Sequence, residues 1–468
     1  MAFDSKFENG RVVTPDGVQS DVAIGVRDGT IATVGDPAEL GAADRVVDLD
    51  GQYLLPGVID CHVHVRSPGY EHKEDWSTAT AAAAAGGVTT ILAMPNTDPM
   101  IDSPETVQQV YDIADEDAHV DFQSYAVLTS ENYDQVKPLA EAGVPGFKVF
   151  LGTTFGEIEP PDDGELYAAM QDAAAIDRRI GFHEENDEIL SFYEEQFKKE
   201  GHDDPIAHSH SRPVVAEAEA VSRIMLLADH ADAPVHMFHL SSGTGAELVV
   251  EGKADGINVT AETCPHYLWF TEEVMNEKGN VARVQPPIRD ADERDRLWET
   301  GIHGGGVDCI ATDHAPHTDA EKNIDEPFAD TWESISGFVG LESEVGSMTT
   351  FVSEGRLPIE QWAYMHSTRP AQIWGLYPRK GSLQVGTDAD FTVVDPDVEW
   401  TGRKEALHSK SKTTPFNGEE FVGKPTMTVV RGTVTYEDDA LAVEEGYGKL
   451  VPSGKTTSNA KPRSGPGN

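Results

Sequence analysis

The sequence predicts an α/β protein: a closed (β/α)8 barrel of the TIM type, with a small β-sandwich domain assembled from both chain termini. Three observations lead there. Eight short β-branched or aromatic runs recur through the middle of the chain, each followed by an Ala/Glu-rich stretch with helical spacing. Both ends instead alternate in strand fashion and are broken by Asp-Gly turn signals. Finally, histidines, a lysine and an aspartate fall on the predicted strands, mostly at their C-terminal ends, where the sites of such barrels form. A doubly wound open sheet is the alternative.

In chain order, "RVVTPDGVQSDVAIGVRDGTIATVGD" opens the β region, and "GSLQVGTDADFTVVDPDVEWTG" and "KPTMTVVRGTVTYED" close it. Strands from the two ends can pair, so residues 1–56 and 380–440 are read as the small β domain. Residues 57–379 form the barrel inserted between them. Its strands are "GVIDCHVHV", "VTTILAMPN", "VDFQSYAVL", "GFKVFLG", "RIGFHEE", "PVHMFHLSS", "INVTAETCPH" and "VDCIATDHA". Helix candidates lie between them, such as "SPETVQQVYDIADEDA", with Ser103 as N-cap and Pro104 in the first turn. A second is "RPVVAEAEAVSRIMLLADHA". Residues 441–468 read as a disordered tail.

Composition excludes several functions. The 468 residues hold 82 Asp and Glu against 35 Lys and Arg, a net charge of −47. Such a surface argues against nucleic acid or an anionic membrane as partner. The acids are spread along the chain, and their self-repulsion becomes tolerable near 1 M salt, where the screening length is about 3 Å. A salt-adapted, halophilic cytoplasm is therefore expected; a large acidic face for a basic partner is the alternative. No apolar run is long enough to span a bilayer, and "MAFDSKFENG" does not read as a secretion signal. Cys61, Cys264 and Cys309 stand far apart without a CxxC, so neither a disulfide framework nor a cysteine zinc site is implied.

The chemistry concentrates in "DCHVHVRSPG". Period 2 puts His62 and His64 on one side of their strand, where two imidazoles can grip one ion. His183 and His239, on the fifth and sixth strands, can grip a second. Asp313, ending the eighth, can bind an ion through one oxygen and still take a proton. Lys148 in the fourth strand is out of place beside two dications unless CO2 carboxylates it to a bridging carbamate; a Schiff-base or phosphate-binding lysine is the other reading. Arg66 is an anion clamp, able to hold a carboxylate bidentately on a chain that otherwise repels anions. His236 is read as packing, "HSHSRP" around His208 as a loop or helix-entry contact, and His314 as pointing away. His317, one turn further, can face a substrate. Cys61 and Cys309 are read as small core residues.

"DCHVHVRSPG", "AMPNTDP", "GFKVFLG", "CPHY", "PPIR", "ATDHAPH", "SGFVGLE" and "SKSKTTPFNG", taken in this order, resemble the dihydroorotase branch of the cyclic amidohydrolases, to about residue 440. The resemblance implies metal ligands His62, His64, carboxylated Lys148, His183, His239 and Asp313. It implies substrate contacts from Arg66, Asn96 and His317, with backbone help near Gly337. It implies a reversible closure of N-carbamoyl-L-aspartate to L-dihydroorotate in pyrimidine biosynthesis, with Asp313 as general acid and base. The cofactors expected are two divalent ions, zinc first, with cobalt or manganese also admitted. A homodimer or homotetramer, and association with aspartate transcarbamoylase, are expected partners. Two departures stand out. Gln285 precedes "PPIR" where many dihydroorotases carry Asn, so its contact with the ring differs, and a lysine at position 148 is variable in the branch. "CPHY" and "HLSS" also occur in allantoinases and hydantoinases, the nearest alternative; Arg66 and Asn96 favour dihydroorotase. A non-catalytic scaffold is the alternative from another class. "GTTFGEIEPPDDG" is read as an acidic surface turn, or a loop over the site.

Overall fold

In the computed structural model, which describes residues 2–154 and 158–454, the two ends of the chain meet. Strands Ala23–Arg27 and Thr30–Gly35 form a hairpin with a two-residue turn. Asp28 and Gly29 in that turn have φ of 51° and 74°, the left-handed pair that suits the twist of an antiparallel ribbon. Phe3–Glu8 and Ala43–Asp48 complete a four-stranded sheet. A seven-stranded sheet draws on both termini. In it Phe391–Thr401 runs antiparallel to Tyr53–Pro56 and to Glu420–Val430. Phe7 of the first sheet meets Phe391 of the second edge-on, ring centroids 5.0 Å apart. Ile24, Leu54 and Val429 share that core.

All eight runs read as strands in the middle of the chain form strands. They are β1 (Val58–Val63), β2 (Val88–Ala93), β3 (Asp121–Ser124) with β4 (Ala126–Val127), β5 (Gly146–Phe150), β6 (Arg179–His183), β7 (Val235–Met237), β8 (Val259–Thr263) and β9 (Cys309–Ile310); the third run breaks at Tyr125. Neighbours are parallel. Every residue of β1, β2, β5, β6 and β8 is buried, as in parallel sheets covered on both faces. The strands fall into two sheets, β3-β2-β1 and β4 through β9. Hydrogen bonds link their edges. Tyr125 N donates to Ala93 O at 3.0 Å, and His64 N to His314 O at 2.8 Å.

Helix Pro104–Asp117 begins as the sequence predicts, with Ser103 as cap and Pro104 in the first turn. Helix Val214–Ala231 fills the second predicted stretch. Among the described residues, no helix is long and apolar enough to cross a membrane.

The expected tail needs correction. Gly448 N donates to Ala118 O at 2.7 Å, Phe122 N to Lys449 O at 3.1 Å, and Val451 N to Phe122 O at 3.0 Å. Residues 448–451 therefore run along β3, with Val451 inside the core, and Gly454 N donates to Gly375 O at 2.7 Å. The polar composition of the stretch hid the few apolar residues that anchor it; residues 455–468 lie outside the described residues.

One buried ion cluster ties these regions together. Lys380 contacts Asp121 at the start of β3, Asp390 at 2.8 Å and Asp388 at 3.0 Å. Arg431 also contacts Asp121, and Lys449 N donates to the same carboxylate at 2.9 Å. Removing one member strands carboxylates away from water, which costs more than the pair itself contributes. Lys380→Met is therefore expected to destabilise the fold by about 3 kcal/mol, read as a lower urea midpoint at constant slope. A midpoint within error of the parent would show that the cluster contributes nothing net.

Candidate metal centre

The strand ends bring the sequence-predicted residues to one place. His62, His64, Arg66, Asn96, Lys148, His183, His239, Gln285, Asp313 and Gly337 all line a single cavity. His317 is outside that lining but touches it through Arg66. Alternation along β1 does what period 2 requires: His62 and His64 face the same side. Asp313 Oδ1 lies 3.3 Å from His62 Nε2 and 3.2 Å from His64 Nε2. Donor atoms of these three residues all lie within 4.8 Å of one another. Across the cavity, His183 Nδ1 faces His239 Nε2 at 2.9 Å.

Lys148 lines the same cavity as both groups. It is fully buried, and among the described residues its Nζ has no hydrogen-bond partner; it lies 4.1 Å from the Phe238 ring centroid and 4.9 Å from that of Phe150. Burial pulls the amine down to about 8, against the opposing pull of Glu184 and Asp313. Burial likewise holds His62 and His239 well below the ordinary imidazole range, and with Arg66 it brings His64 to about 4. Neutral imidazoles are the form a metal requires.

The outer ring nitrogens complete the pattern. His64 Nδ1 bonds Asn96 Oδ1 at 2.7 Å, His62 Nδ1 bonds Glu262 Oε1 at 2.5 Å, and His183 Nε2 bonds Glu185 Oε2 at 2.9 Å. His239 Nδ1 is 4.0 Å from Glu184 Oε1. An acceptor on the outer nitrogen puts the proton there and turns a lone pair inward, as around bound metals. An anionic trio at one end, facing imidazoles at the other and an orphaned amine in the same cavity fit divalent cations.

The backbone is bent to aim these groups. Arg66, His239 and Asp313 have φ of 66°, 37° and 49°, each a conformation costing of order 1–3 kcal/mol for a non-glycine residue. Gly337, at φ 121°, also lines the cavity. A Cβ there would stand 2.8 Å from Ala315 O and 3.1 Å from the His317 ring.

Arg66 is buried. Its Nε donates to Pro316 O at 3.2 Å, and its Nη2 lies 3.1 Å from His317 Nε2. Burial lowers it to about 10, so it stays cationic. Asn96, expected at the substrate, lines the cavity but spends its carbonyl on His64.

Glu184, Glu185, Glu262 and Arg212 are functional-site residues the sequence reading missed. Two acids directly after a strand-end histidine in "FHEEN", and a glutamate inside the buried strand β8, were the available signals. Arg212 comes from the segment set aside as a decoy. There His208 packs its Nε2 on Val284 O at 3.0 Å, as expected of a structural contact, while Arg212 grips Glu185. Burial raises the Glu185 carboxyl, but Arg212 and His183 override it and hold it well below its usual range. Glu185→Gln is expected to weaken zinc binding about 10- to 100-fold, measured by competition with a chromophoric chelator. An unaltered affinity would remove Glu185 from the support of His183.

His236 bonds Thr260 and Glu262 beneath the site and His314 turns toward Glu74; neither lines the cavity. Cys61 and Cys309 lie in an apolar cluster, the former donating to Glu262 at 3.2 Å. Thr154 reaches the cavity from the predicted loop; residues 155–157 of that loop lie outside the described residues.

Comparisons with known proteins agree with this chemistry. Residues 53–435 match the family described as "Amidohydrolase family". The solved L-hydantoinase (dihydropyrimidinase) of Arthrobacter aurescens superposes with a TM-score of 0.92 at 32% identity, over 96% of this chain and 100% of that one. An allantoinase of Solibacter usitatus is 36% identical, over 96% of this chain and 96% of its own. A dihydroorotase of Geobacter sp. is 35% identical, over 92% of this chain and 98% of its own.

Proposed function

The chain belongs to the amidohydrolase family, and on that premise we propose that it is a dihydroorotase, interconverting N-carbamoyl-L-aspartate and L-dihydroorotate. The observation that carries this reading is Arg66. A buried guanidinium, in contact with His317, lines the same cavity as His62, His64 and Asp313. A cyclic amide without a carboxylate has no use for it; a substrate with one is seated bidentately. On the same reading the two parallel sheets are one closed (β/α)8 barrel, residues 57–379, and the terminal sheets form a β-sandwich domain.

His62, His64 and Asp313 would hold one divalent ion and His183 and His239 a second, with zinc the best match to such donors. Lys148, its amine brought to about 8, would be the residue to take up CO2 as a carbamate, its proton passing to water, and would then add an anionic oxygen donor to this set. Bound divalent ions supply Lewis-acid polarisation of a carbonyl and acidify water. The chain does the rest. Arg66 and His317 fix the carboxylate, so the ring enters in one orientation. Gln285 and the backbone at Gly337, which line the same cavity, contact the ring. Asp313 takes a proton on its carboxylate during ring opening and returns it to the leaving nitrogen; closure reverses the order. The strong negative charge fits work in a salty cytoplasm.

Hydantoinase or allantoinase activity is the second reading, favoured by the greater reach of those likenesses along the chain. The zinc-loaded enzyme should be assayed with L-dihydroorotate, allantoin and hydantoin. Dihydroorotate is expected to lead in kcat/KM by at least about 100-fold, what a desolvated charge pair discriminates. A lead for either of the others overturns the proposal.

A further inference from the structure

A second cavity, of about 320 Å³, is lined by His72, Lys73, His317, Asp319, Lys410 and Lys412, with Ser411 between the last two. Acids outnumber bases 82 to 35 in the chain, yet here three lysines face one aspartate. Their charges are not equally spent. Lys73 pairs with Glu321 at 2.8 Å, and Lys410 pairs with Asp75. Lys412 bonds only main-chain carbonyls, those of Leu407 and, at 2.6 Å, Ser409. Among the described residues it has no salt bridge, so its charge stays available to a ligand. The wall also touches the catalytic cavity. His317 Nδ1 is 3.4 Å from Lys73 Nζ, and its Nε2 is 3.1 Å from Arg66 Nη2. Lys412 thus shares a wall with Lys73 and His317, and these two lead to the guanidinium that lines the metal centre.

We propose that this lysine-lined cavity is an anion-capture site, which receives the carboxylates of the open-chain ureido acid before that acid reaches Arg66. Only the identity of the ligand rests on the substrate reading above. A chain of net charge −47 slows the approach of any dianion, and the Lys412 ammonium, which no carboxylate neutralises among the described residues, offers a local cationic contact. The same contact holds the singly charged ring less strongly than its doubly charged precursor. It does nothing for a neutral substrate.

Lys412→Gln tests this, because glutamine keeps a donor for the Leu407 and Ser409 carbonyls while removing the charge. KM for N-carbamoyl-L-aspartate is expected to rise about fivefold, and about twentyfold in Lys412→Glu, with a much smaller change in kcat. KM for neutral hydantoin should shift by less than about twofold, and the difference from the parent should shrink in 2 M KCl as screening removes it. Inhibition by succinate, a dicarboxylate lacking the ureido group, should weaken in parallel. If the parent turns over only allantoin or hydantoin, the substrate reading fails. The succinate arm, run on that substrate, then still decides the capture site. Equal shifts for neutral and anionic ligands, or no weakening of succinate inhibition in either variant, overturn the proposal.

Discussion

Asp313→Asn is expected to lower kcat at least about 10³-fold, equivalent to roughly 4 kcal/mol of barrier. The change is nearly isosteric, and asparagine tolerates the left-handed backbone at this position, φ 49°. What it removes is charge and basicity. Asp313 Oδ1 stands within 3.3 Å of both His62 Nε2 and His64 Nε2, and an amide oxygen there binds a dication weakly and accepts no proton at neutral pH. The two losses separate by measurement. Zinc content by atomic absorption reports the ligand role. Residual kcat at saturating zinc reports the proton role, where general acid–base catalysis is worth about 10²–10⁴-fold. Near-ultraviolet circular dichroism matching the parent would show that the packing survives. An Asn variant within tenfold of the parent, fully loaded, would mean that another group carries the proton.

How much of this site was legible in the sequence depends on the length scale of the signal. His62 and His64 were legible because a two-residue period is local. His183, His239 and Asp313 were legible because each ends a short β-branched run, and parallel strands put such ends together. The outer acceptors were not. Glu262 lies on β8 and reaches His62 on β1, a relation set by where two distant strands stand in space and marked by no spacing. Arg212 was hidden more deeply, since its segment carries a histidine pair that competes for attention and its partner Glu185 lies 27 residues away. Lys412 belonged to "SKSKTTPFNG", which the resemblance noted but which no catalytic role absorbed. The stretch up to residue 454 failed for another reason. Composition averages over a window, and anchoring to β3 needs only Tyr447, Leu450 and Val451, the last almost fully buried. Fold class survived these omissions because it rests on many weak repeats. Site architecture rests on a few single contacts.

Arg66→Ala should cut kcat/KM for L-dihydroorotate about 10³-fold while leaving that for neutral hydantoin within about fivefold. The asymmetry follows from burial. Arg66 is 2% exposed, so a carboxylate that meets it loses water on both sides, and truncating one partner of such a pair costs 2–5 kcal/mol or more. A hydantoin ring brings no charge and forfeits only contact area. Arg66→Lys sharpens the test. Lysine restores the charge but not the planar fork, so it should recover about tenfold at most. Arg66 also holds the Pro316 carbonyl and the His317 ring, so a general loosening of the site is the competing explanation. Loosening would lower both substrates together and would show as lost zinc; loss of a carboxylate clamp lowers one and leaves zinc in place. The two readings of function diverge at the same point. For a dihydroorotase the guanidinium is the main source of discrimination among rings. For a hydantoinase or allantoinase it is a wall residue, and its removal would widen the cavity and favour larger neutral rings.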